Sequence, residues 1–336
     1  SKNRSSILNQ GSSIRSSKVQ PIYYSDIVSC YFANDDAEKI VFNVESLTYK
    51  FKGGNTGMHP FSFSEESGRM VGIMGASGAG KSTLLNLLNG AYTPTTGQIT
   101  INGVDIHHEQ DKIEGVIGYV SQDDLLIEEL TVFQNLFYNA KLCFANMSET
   151  EITKRVIDVL NSIGLYEARE LKVGSPMEKT ISGGQRKRLN IALELIREPA
   201  VLFVDEPTSG LSSRDSENIM DLLKELALKG KLVFVVIHQP SSDIYKMFDN
   251  LLILDTGGYP IYNGNPVDAV VYFKELANHV NSEESECLSC GNVNSEQIFD
   301  IIEGRVVDEY GEPTKNRKVN PTQWYTIYKE KVAQDL

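Results

Sequence analysis

The chain contains 336 residues, 41% of them hydrophobic and 23% charged, which is typical of a globular protein with one large domain or two modest ones. Its formal net charge of −13 argues against a nucleic-acid partner, because binding to a phosphate backbone depends on patches of Lys and Arg. The longest apolar runs, such as 232–237, are far shorter than the ~20 residues that cross a bilayer, so we expect no membrane span.

Two further features concern the compartment and the N-terminus. Four cysteines without a disulfide framework fit a reducing cytoplasm. The sequence begins at Ser1 rather than Met, which indicates a piece of a longer polypeptide whose membrane segments would lie elsewhere. Residues 1–38 are predicted to be a linker or tail, since the first 18 carry four cations, no acidic residue and little apolar periodicity. Such a tail either stays solvated or touches anionic lipid.

From residue 40 the pattern indicates strands separated by turns. The runs "KIVFNV" and "RMVGIMG" are short and apolar, with glycines between them. Asn102 and Gly103, between two alternating runs, predict a hairpin, and "GVIGYVSQ" predicts one more strand. Between about 125 and 180 the pattern is helical, with Ser148 and Glu151 as a capping box and Gly164 at the end of that helix.

The stretch "ISGGQRKRLNIALELI" predicts a helix that begins with two glycines. Its apolar positions, among them Leu189, Ala192 and Ile196, have the spacing of a helix that buries one face, and Pro199 stops it. Glycines at a helix start leave backbone N–H groups bare, and the helix dipole makes that end attractive to an anion. Further on, the runs "AVLFVD" and "KLVFVVIH" flank a helix at about 216–228, a βαβ pattern that implies a parallel sheet.

The segment "MGASGAGKST" follows a predicted strand and opens a predicted helix. It satisfies G-x-x-x-x-G-K-[ST], in which glycines let backbone N–H groups surround the β-phosphate of a nucleotide. Lys81 would bridge the β- and γ-phosphates, and the Ser82 hydroxyl would bind Mg²⁺. A glycine-rich turn without a ligand is the alternative. The predicted nucleotide-binding residues here are Gly75, Ala76, Ser77, Gly78, Ala79, Gly80, Lys81, Ser82 and Thr83.

The segment "VLFVDEP" ends a predicted buried strand with two acidic residues. At the carboxyl end of a strand, Asp205 can reach the Mg²⁺ shell and Glu206 can polarise a water aimed at the γ-phosphate. Acidic pairs after a strand are also common as helix caps, so the functional interpretation depends on the phosphate-binding loop that precedes this segment.

Over about residues 40–273 these motifs, in this order, resemble the nucleotide-binding domain of an ABC transporter. "SGGQ" resembles the ABC signature, which in that family caps the γ-phosphate of ATP held by the phosphate-binding loop of a partner domain. The resemblance thus assigns the anion at the glycine-rich helix start to ATP, with the contacts carried by Ser182, Gly183, Gly184 and Gln185. "DEPTSGL", "ISGGQRKRL" and "IHQPSSDIY" are most similar to the G-type, or White, subfamily, which places its ATPase domain ahead of its membrane domain.

The resemblance implies roles for four further side chains. Gln122 in "YVSQDD" is similar to the Q-loop glutamine that contacts Mg²⁺ and the attacking water, and His238 in "VVIHQP" to the switch histidine that holds the γ-phosphate. A lone histidine at a strand end is otherwise a core residue. An aromatic ring is expected to stack on adenine, for which Tyr49 and Phe51 both qualify; they share one face of a predicted strand, and Phe51 is favoured. Ser212 stands where the family's D-loop usually has aspartate, which puts communication between two ATP sites in doubt.

The predicted fold is an α/β P-loop NTPase with a RecA-like core, an antiparallel β subdomain and an α-helical signature subdomain at about 125–183. The predicted domains are the N-terminal tail at 1–38, the ATP-binding cassette at 39–275 and a C-terminal extension at 276–336 with a short helix near 297–303. In that extension Cys287 and Cys290 form C-x-x-C, with His279 eight residues earlier. They are either part of a zinc site or two free thiols, since a structural zinc needs four ligands.

The resemblance implies an ATPase that uses ATP and Mg²⁺, with Glu206, His238, Gln122 and Lys81 in catalysis and Ser82, Gln122 and Asp205 around the metal. Its expected partners are a second cassette and a membrane-spanning permease domain, and its expected place is the cytoplasmic face of the cell membrane, where it would power export. Two alternatives stay open. A soluble ABC ATPase of translation or repair is disfavoured by the single acidic cassette, and a non-hydrolysing regulator by the presence of Glu206 and His238.

Overall fold

The computed structural model describes residues 13–16, 19–23, 39–175, 180–277, 293–308, 310 and 312–335. The strands of this part are β1 (Ser13–Ser16), β2 (Val19–Tyr23), β3 (Val41–Lys50), β4 (Thr56–Glu66), β5 (Met70–Gly75), β6 (Thr96–Ile101), β7 (Val104–Asp105), β8 (Ile117–Val120), β9 (Val201–Asp205), β10 (Leu232–Val236), β11 (Asn250–Asp255), β12 (Tyr259–Gly264), β13 (Arg305–Val307) and β14 (Pro313–Arg317). The α-helices are α1 (Lys81–Leu88), α2 (Val132–Cys143), α3 (Glu149–Ser162), α4 (Gly183–Leu195), α5 (Ser213–Leu228), α6 (Ser242–Tyr245), α7 (Pro266–Leu276), α8 (Glu296–Ile302) and α9 (Pro321–Asp335).

Six strands form the core sheet, in the order β12-β11-β5-β10-β9-β8. The five strands from β11 to β8 run parallel, and β12 is an antiparallel edge strand. Every residue of β5, β9 and β10 is buried, as expected of parallel strands covered by helices on both faces. The predicted α/β core with a parallel sheet is therefore confirmed.

A second, antiparallel sheet has the strand order β4-β3-β6-β7. It packs on the core sheet through an aromatic cluster in which the Phe42 ring lies 6.0 Å from Phe203 and 5.3 Å from Phe234. Asn102 and Gly103 form the turn between β6 and β7 with φ of 50° and 81°, the left-handed conformation that a tight hairpin requires. This confirms both the predicted antiparallel sheet and its hairpin.

Two amphipathic helices, α2 and α3, lie in the region predicted to be the helical subdomain. Ser148 and Glu151 form the predicted capping box at the start of α3, and Gly164 follows its end with φ of 65°. Helix α3 buries one face, which carries Ile152 and Val156, in the larger of the two hydrophobic clusters. The helical prediction for this stretch is confirmed.

The C-terminal region is packed on the core. Helix α8 confirms the short helix predicted near 297–303, whereas the hairpin β13–β14 and helix α9 were not predicted. Trp324 of α9 is buried and packs edge-on against Phe273, with ring centroids 5.5 Å apart. Arg317 Nη1 donates to buried Asp255 Oδ1 at 2.7 Å. Long-range contacts thus attach a polar stretch of sequence to the cassette.

Three other findings concern the predicted tail, the cysteine pair and the expected absence of membrane spans. Strands β1 and β2 form an antiparallel pair within the stretch predicted to be a tail. Cys287 and Cys290 lie outside the described residues, as does His279. None of the helices within the described residues has the length and apolar character needed to cross a membrane.

Candidate functional site

The phosphate-binding loop connects β5, in the middle of the core sheet, to α1. Gly78 and Gly80 have φ of 76° and 96°, a left-handed conformation that strains other residues. Lys81 Nζ folds back over the loop and donates to the carbonyl oxygens of Gly75 at 2.8 Å and Ala76 at 3.0 Å. The loop is therefore already curled around its lysine, with the ammonium group held at the mouth of a cleft.

That cleft has a volume of about 400 Å³ and is open to solvent on one side. Segments far apart in sequence form its wall: the β3–β4 turn, the phosphate-binding loop, the ends of β9 and β10, and the turn between β11 and β12. Its lining residues are Phe51, Thr56, Gly57, Ser77, Gly78, Gly80, Lys81, Ser82, Thr83, Glu206, His238, Gly257 and Gly258. Most of the residues predicted from the phosphate-binding motif thus face one cavity.

Glu206 lies between two polar side chains at the edge of this cleft. Its Oε1 lies 2.8 Å from His238 Nε2, and its Oε2 accepts a hydrogen bond from Gln122 Nε2 at 3.0 Å. The three residues follow β9, β10 and β8, which are neighbours in the sheet, so their carboxyl ends meet at one edge. Glu206 has φ of 43°, a strained conformation that turns its carboxylate out of the strand direction. The structure thus brings together three of the four side chains predicted for catalysis.

Asp205 and Lys81 are buried charges beside this group. Asp205 is 9% exposed, and its Oδ1 has no hydrogen-bond partner within the described part of the chain. Burial raises the pKa of the Asp205 carboxyl, and repulsion from Glu206 adds to the rise. Burial lowers the pKa of Lys81, against the opposing effect of Glu206 and Asp205. A buried carboxylate oxygen without a donor fits a hard cation such as Mg²⁺, whose preferred ligands are oxygens.

The two aromatic candidates for adenine stacking have different surroundings. Phe51 is 43% exposed and lines the cleft. Tyr49 stacks on Tyr92 instead, with centroids 5.5 Å apart and an interplanar angle of 13°. Tyr49 lies in β3, whereas Phe51 lies one residue beyond the end of that strand at Lys50, where the chain turns and the Phe51 carbonyl accepts from Gly54 N. The two side chains are nevertheless on one side, as predicted, because their rings pack edge to face with centroids 5.2 Å apart.

The signature segment starts α4, as predicted, and does not line the cleft of its own chain. Ser182 is the N-cap: its Oγ accepts from Gln185 N at 3.1 Å, and Gln185 Oε1 accepts from Ser182 N at 2.8 Å. Gly183 is exposed, whereas Gly184 is buried with the Asp215 carboxylate against it. The helix ends at Leu195, earlier than the predicted stop at Pro199.

Four cleft residues were missed by sequence reasoning, namely Thr56, Gly57, Gly257 and Gly258. A Cβ on Gly258 would lie 2.1 Å from the Gly57 carbonyl oxygen, so two loops meet backbone to backbone here. The adjacent glycines 257 and 258 were the available signal, because such pairs mark tight turns and close backbone approach.

A glycine-rich loop between a central parallel strand and a helix, beside acidic residues at a neighbouring strand end, defines a P-loop nucleoside triphosphatase with a RecA-like core. The family model described as "ABC transporter" matches residues 58–209, and the model described as "ABC-2 type transporter" matches residues 238–336. The chain belongs to the ABC transporter family. It is the ATP-binding cassette of such a transporter and an ABC-type ATPase.

The sequence relatives include members of the G family. ABC transporter G family member 28 of Arabidopsis thaliana is 38% identical over 263 residues, which cover 75% of this chain and 23% of that protein. ABC transporter G family member 14 of the same plant is 39% identical over 211 residues, 62% of this chain and 32% of the relative. The chain spans about a fifth to a third of the length of such relatives.

Solved structures of ATP-binding cassettes share the fold. One is cbiO1 from Clostridium perfringens, part of the cbiONQ ABC transporter complex, with a TM-score of 0.62, 30% identity, and coverage of 72% of this chain and 94% of that one. An ATP-binding cassette of an ABC transporter in its ADP conformation matches with a TM-score of 0.59 at 24% identity, covering 67% and 91% of the two chains.

Proposed function

We propose that this cassette hydrolyses ATP in a composite site shared with a second cassette, and so powers export through a membrane-spanning permease domain. The observation that carries the proposal is the placement of Glu206. Its carboxylate lies between His238 and Gln122, in the cleft that Lys81 also lines. A carboxylate held by two polar groups can orient and polarise a water beside the terminal phosphate.

The remaining roles follow from position. Lys81 supplies a fixed positive charge toward the β- and γ-phosphates, and bare N–H groups of the loop surround them. Phe51 stacks on the base at the open end of the cleft, and His238 holds the γ-phosphate. Mg²⁺ would be held by the Ser82 hydroxyl, by Asp205, whose unpartnered Oδ1 would become a ligand, and by Gln122, and it would neutralise charge on the phosphates.

The partner cassette completes the site from the other side. Ser182 and Gly183 are exposed at the N-terminus of α4. The Ser182 N–H is already bonded to Gln185 Oε1, so the Gly183 N–H, the Ser182 hydroxyl and the helix dipole are the groups that would meet a phosphate from another molecule. Ser212, at the D-loop position, caps α5: its Oγ accepts from Asp215 N at 3.2 Å and donates to Asp215 Oδ2 at 2.8 Å. The serine therefore keeps the helix-capping role that an aspartate would fill.

The membrane partner is supported by exposed apolar side chains near the Q-loop. Leu125, the last residue of the Q-loop (121–125), and Ile127, two residues beyond it, are 69% and 52% exposed, and Leu142 of α2 is 88% exposed. Apolar groups of this size, left in water on one subdomain, favour a protein interface. Together with the ABC-2 type match and the transporter names of the relatives, they favour a membrane-spanning permease as the partner, with this cassette at the cytoplasmic face of the cell membrane. On this proposal residues 39–275 are the cassette, and 276–336 lead toward the permease.

The test uses Glu206→Gln, which keeps shape and both neighbours but removes the carboxylate. ATP hydrolysis should fall by roughly 10² to 10⁴-fold if Glu206 acts as a general base. Bound ATP then stays uncleaved, so an ATP-dependent dimer should accumulate. Size-exclusion chromatography with light scattering would detect it. Unchanged turnover in Glu206→Gln would contradict the proposed catalytic role.

A second variant asks whether the signature contacts the partner's nucleotide. Ser182→Arg, added to Glu206→Gln, places a long side chain where the partner's phosphate is proposed to bind, and it should abolish the dimer. Ser182→Ala is the matched control, because it also loses the helix cap, worth about 1 kcal/mol, but adds no bulk. A dimer that survives Ser182→Arg, or a Glu206→Gln chain that stays monomeric at millimolar ATP, would count against the composite site.

A further inference from the structure

One face of α4 carries three buried polar side chains that the roles above leave unused. Arg186, Lys187 and Asn190 are 8%, 7% and 3% exposed, and their spacing places them on the same side of the helix. Burying a polar group is costly unless it finds hydrogen-bond partners, so their partners show what this face is built to hold. All three make contact with residues of the Q-loop, 121–125.

Lys187 makes the contact nearest to the catalytic group. Its Nζ donates to the carbonyl oxygens of Ser121 at 3.2 Å and Gln122 at 2.9 Å. A buried ammonium that donates to two consecutive carbonyls fixes the backbone on which the Gln122 side chain stands. The Gln122 amide in turn donates to Glu206 Oε2 at 3.0 Å. One chain of hydrogen bonds therefore runs from α4 to the proposed general base.

The two neighbours on this face hold the rest of the loop. Arg186 Nε donates to Asp124 Oδ2 at 3.0 Å, and its Nη1 donates to the Gly174 carbonyl. The Asn190 side chain lies within hydrogen-bonding distance of Leu125 N, at 3.3 Å, and of the Asp123 carbonyl, at 3.5 Å. The Q-loop is thus attached to the signature helix along its length, and Lys187 controls the residue that reaches Glu206.

We propose that Lys187 is a positioning residue for hydrolysis: it couples the location of the signature helix to the orientation of Gln122 and Glu206 in the same chain. This inference rests on the proposed roles of Gln122 and Glu206. Ser182 and Lys187 belong to one rigid helix, so a displacement of Ser182 by the partner's ATP is passed directly to the backbone of Gln122. Occupation of one ATP site thereby sets the geometry of the other.

The primary test is Lys187→Met, which keeps the length of the side chain and removes its donors. In steady-state assays of the 336-residue chain, kcat should fall roughly 10- to 100-fold, because misplacement by about 1 Å has effects of this size. KM for ATP should stay within about threefold, since Lys187 does not line the cleft. Lys187→Arg, which restores a cation and its donors, should recover most of kcat.

Lys231→Met is the matched control for the loss of a lysine that is bonded to a backbone carbonyl oxygen; Lys231 is partly buried. Lys231 Nζ also donates to a backbone carbonyl, that of Pro199, and burial lowers the pKa of both lysines. The two Met variants should therefore lose similar melting temperature, but only Lys187→Met should lose kcat. If Lys187→Met does not fold, Lys187→Gln keeps one donor of shorter reach and should give an intermediate loss of kcat.

A double-mutant cycle with Gln122→Ala identifies the route of the effect. If Lys187 acts through Gln122, the double variant should have nearly the same kcat as Gln122→Ala alone. Multiplicative losses, an unchanged kcat in Lys187→Met, or an equal loss in Lys231→Met would overturn the inference.

Glu206→Gln distinguishes the failure of this inference from the failure of the proposed function. If Glu206→Gln is inactive and Lys187→Met is fully active, only this inference fails. An active Glu206→Gln contradicts the proposed function itself.

Discussion

The two signature glycines should respond in opposite ways to the same added methyl group. A Cβ on Gly184 would lie 2.7 Å from Asp215 Oδ1 and 2.9 Å from its Cγ, well inside an ordinary contact of 3.4 Å. Asp215 cannot retreat freely, because its Oδ2 accepts from Ser212 Oγ at the cap of α5. A Cβ on Gly183 meets only Leu211 Cδ2, at 3.2 Å, which is the mobile end of a side chain.

The expected magnitude for Gly184→Ala combines three effects. Forcing extra volume into a packed site costs about 1–3 kcal/mol. Moving Asp215 weakens its hydrogen bond with Ser212, worth about 0.5–1.5 kcal/mol. The gain in helix propensity returns at most about 1 kcal/mol. We expect a net loss of about 2 kcal/mol in the free energy of unfolding, which lowers the melting temperature by roughly 3 °C for a chain of this size, because its unfolding entropy is about 0.7 kcal/mol/K.

Thermal unfolding and ATPase activity, measured on both variants, provide the assay. Gly183→Ala should keep its melting temperature within about 1 °C and lose turnover, because its methyl group faces the proposed binding position of the partner's phosphate. In Gly184→Ala, an added Asp215→Ala should restore stability beyond the sum of the single effects. A Gly184→Ala chain as stable as wild type, or a double variant without such coupling, would refute the packing argument.

Three further outcomes are expected. Phe51→Ala should weaken ATP binding in fluorescence titration by roughly 5- to 150-fold, the usual range for base stacking, whereas Tyr49→Ala should mainly lower stability; the reverse ranking would assign the base to Tyr49. Asp205→Asn should abolish the Mg²⁺-dependent part of the thermal shift by ATP without lowering the melting temperature of the nucleotide-free chain, since it removes a buried charge. Burial raises the pKa of Glu65 above 4.5, so the folded chain holds that proton more tightly than the unfolded one, and its contribution to stability declines as pH rises through the raised pKa. The melting temperature of Glu65→Gln relative to wild type should therefore increase from pH 4.5 to 7, and a difference independent of pH would contradict this.

Local rules predicted the features whose causes lie within a few residues. The hairpin at Asn102, the capping box at Ser148 and the helix start at Ser182 each depend on backbone groups three or four positions away, and all three are confirmed. The phosphate-binding loop was predicted for the same reason, since its glycines, lysine and flanking strand are contiguous in the chain.

Features set by distant contacts could not be read in this way. Strand β4 was not predicted as such, because Gly57 and Pro60 interrupt its alternating pattern. Helix α5 is a different case: it begins at Ser213, earlier than the predicted 216, because the Ser212 hydroxyl caps it, and this local signal was overlooked. The role of Lys187 is also invisible in sequence, where it is one of three consecutive basic residues. Only the fold separates the ammonium that holds the Q-loop from its neighbours.

The position of β5 has a consequence for the synthesis of this protein. This strand pairs with β10 on one side and β11 on the other, and both follow it by more than 150 residues. At ribosomal rates of about 5–20 residues per second, the apolar β5 waits about 8–30 s with both edges bare. Bare edges of this kind recruit other strands, so the nascent chain is open to wrong strand pairing and aggregation during that interval. Nucleotide binding cannot shorten this interval, because the cleft lacks His238 until β10 and the residues that follow it have emerged.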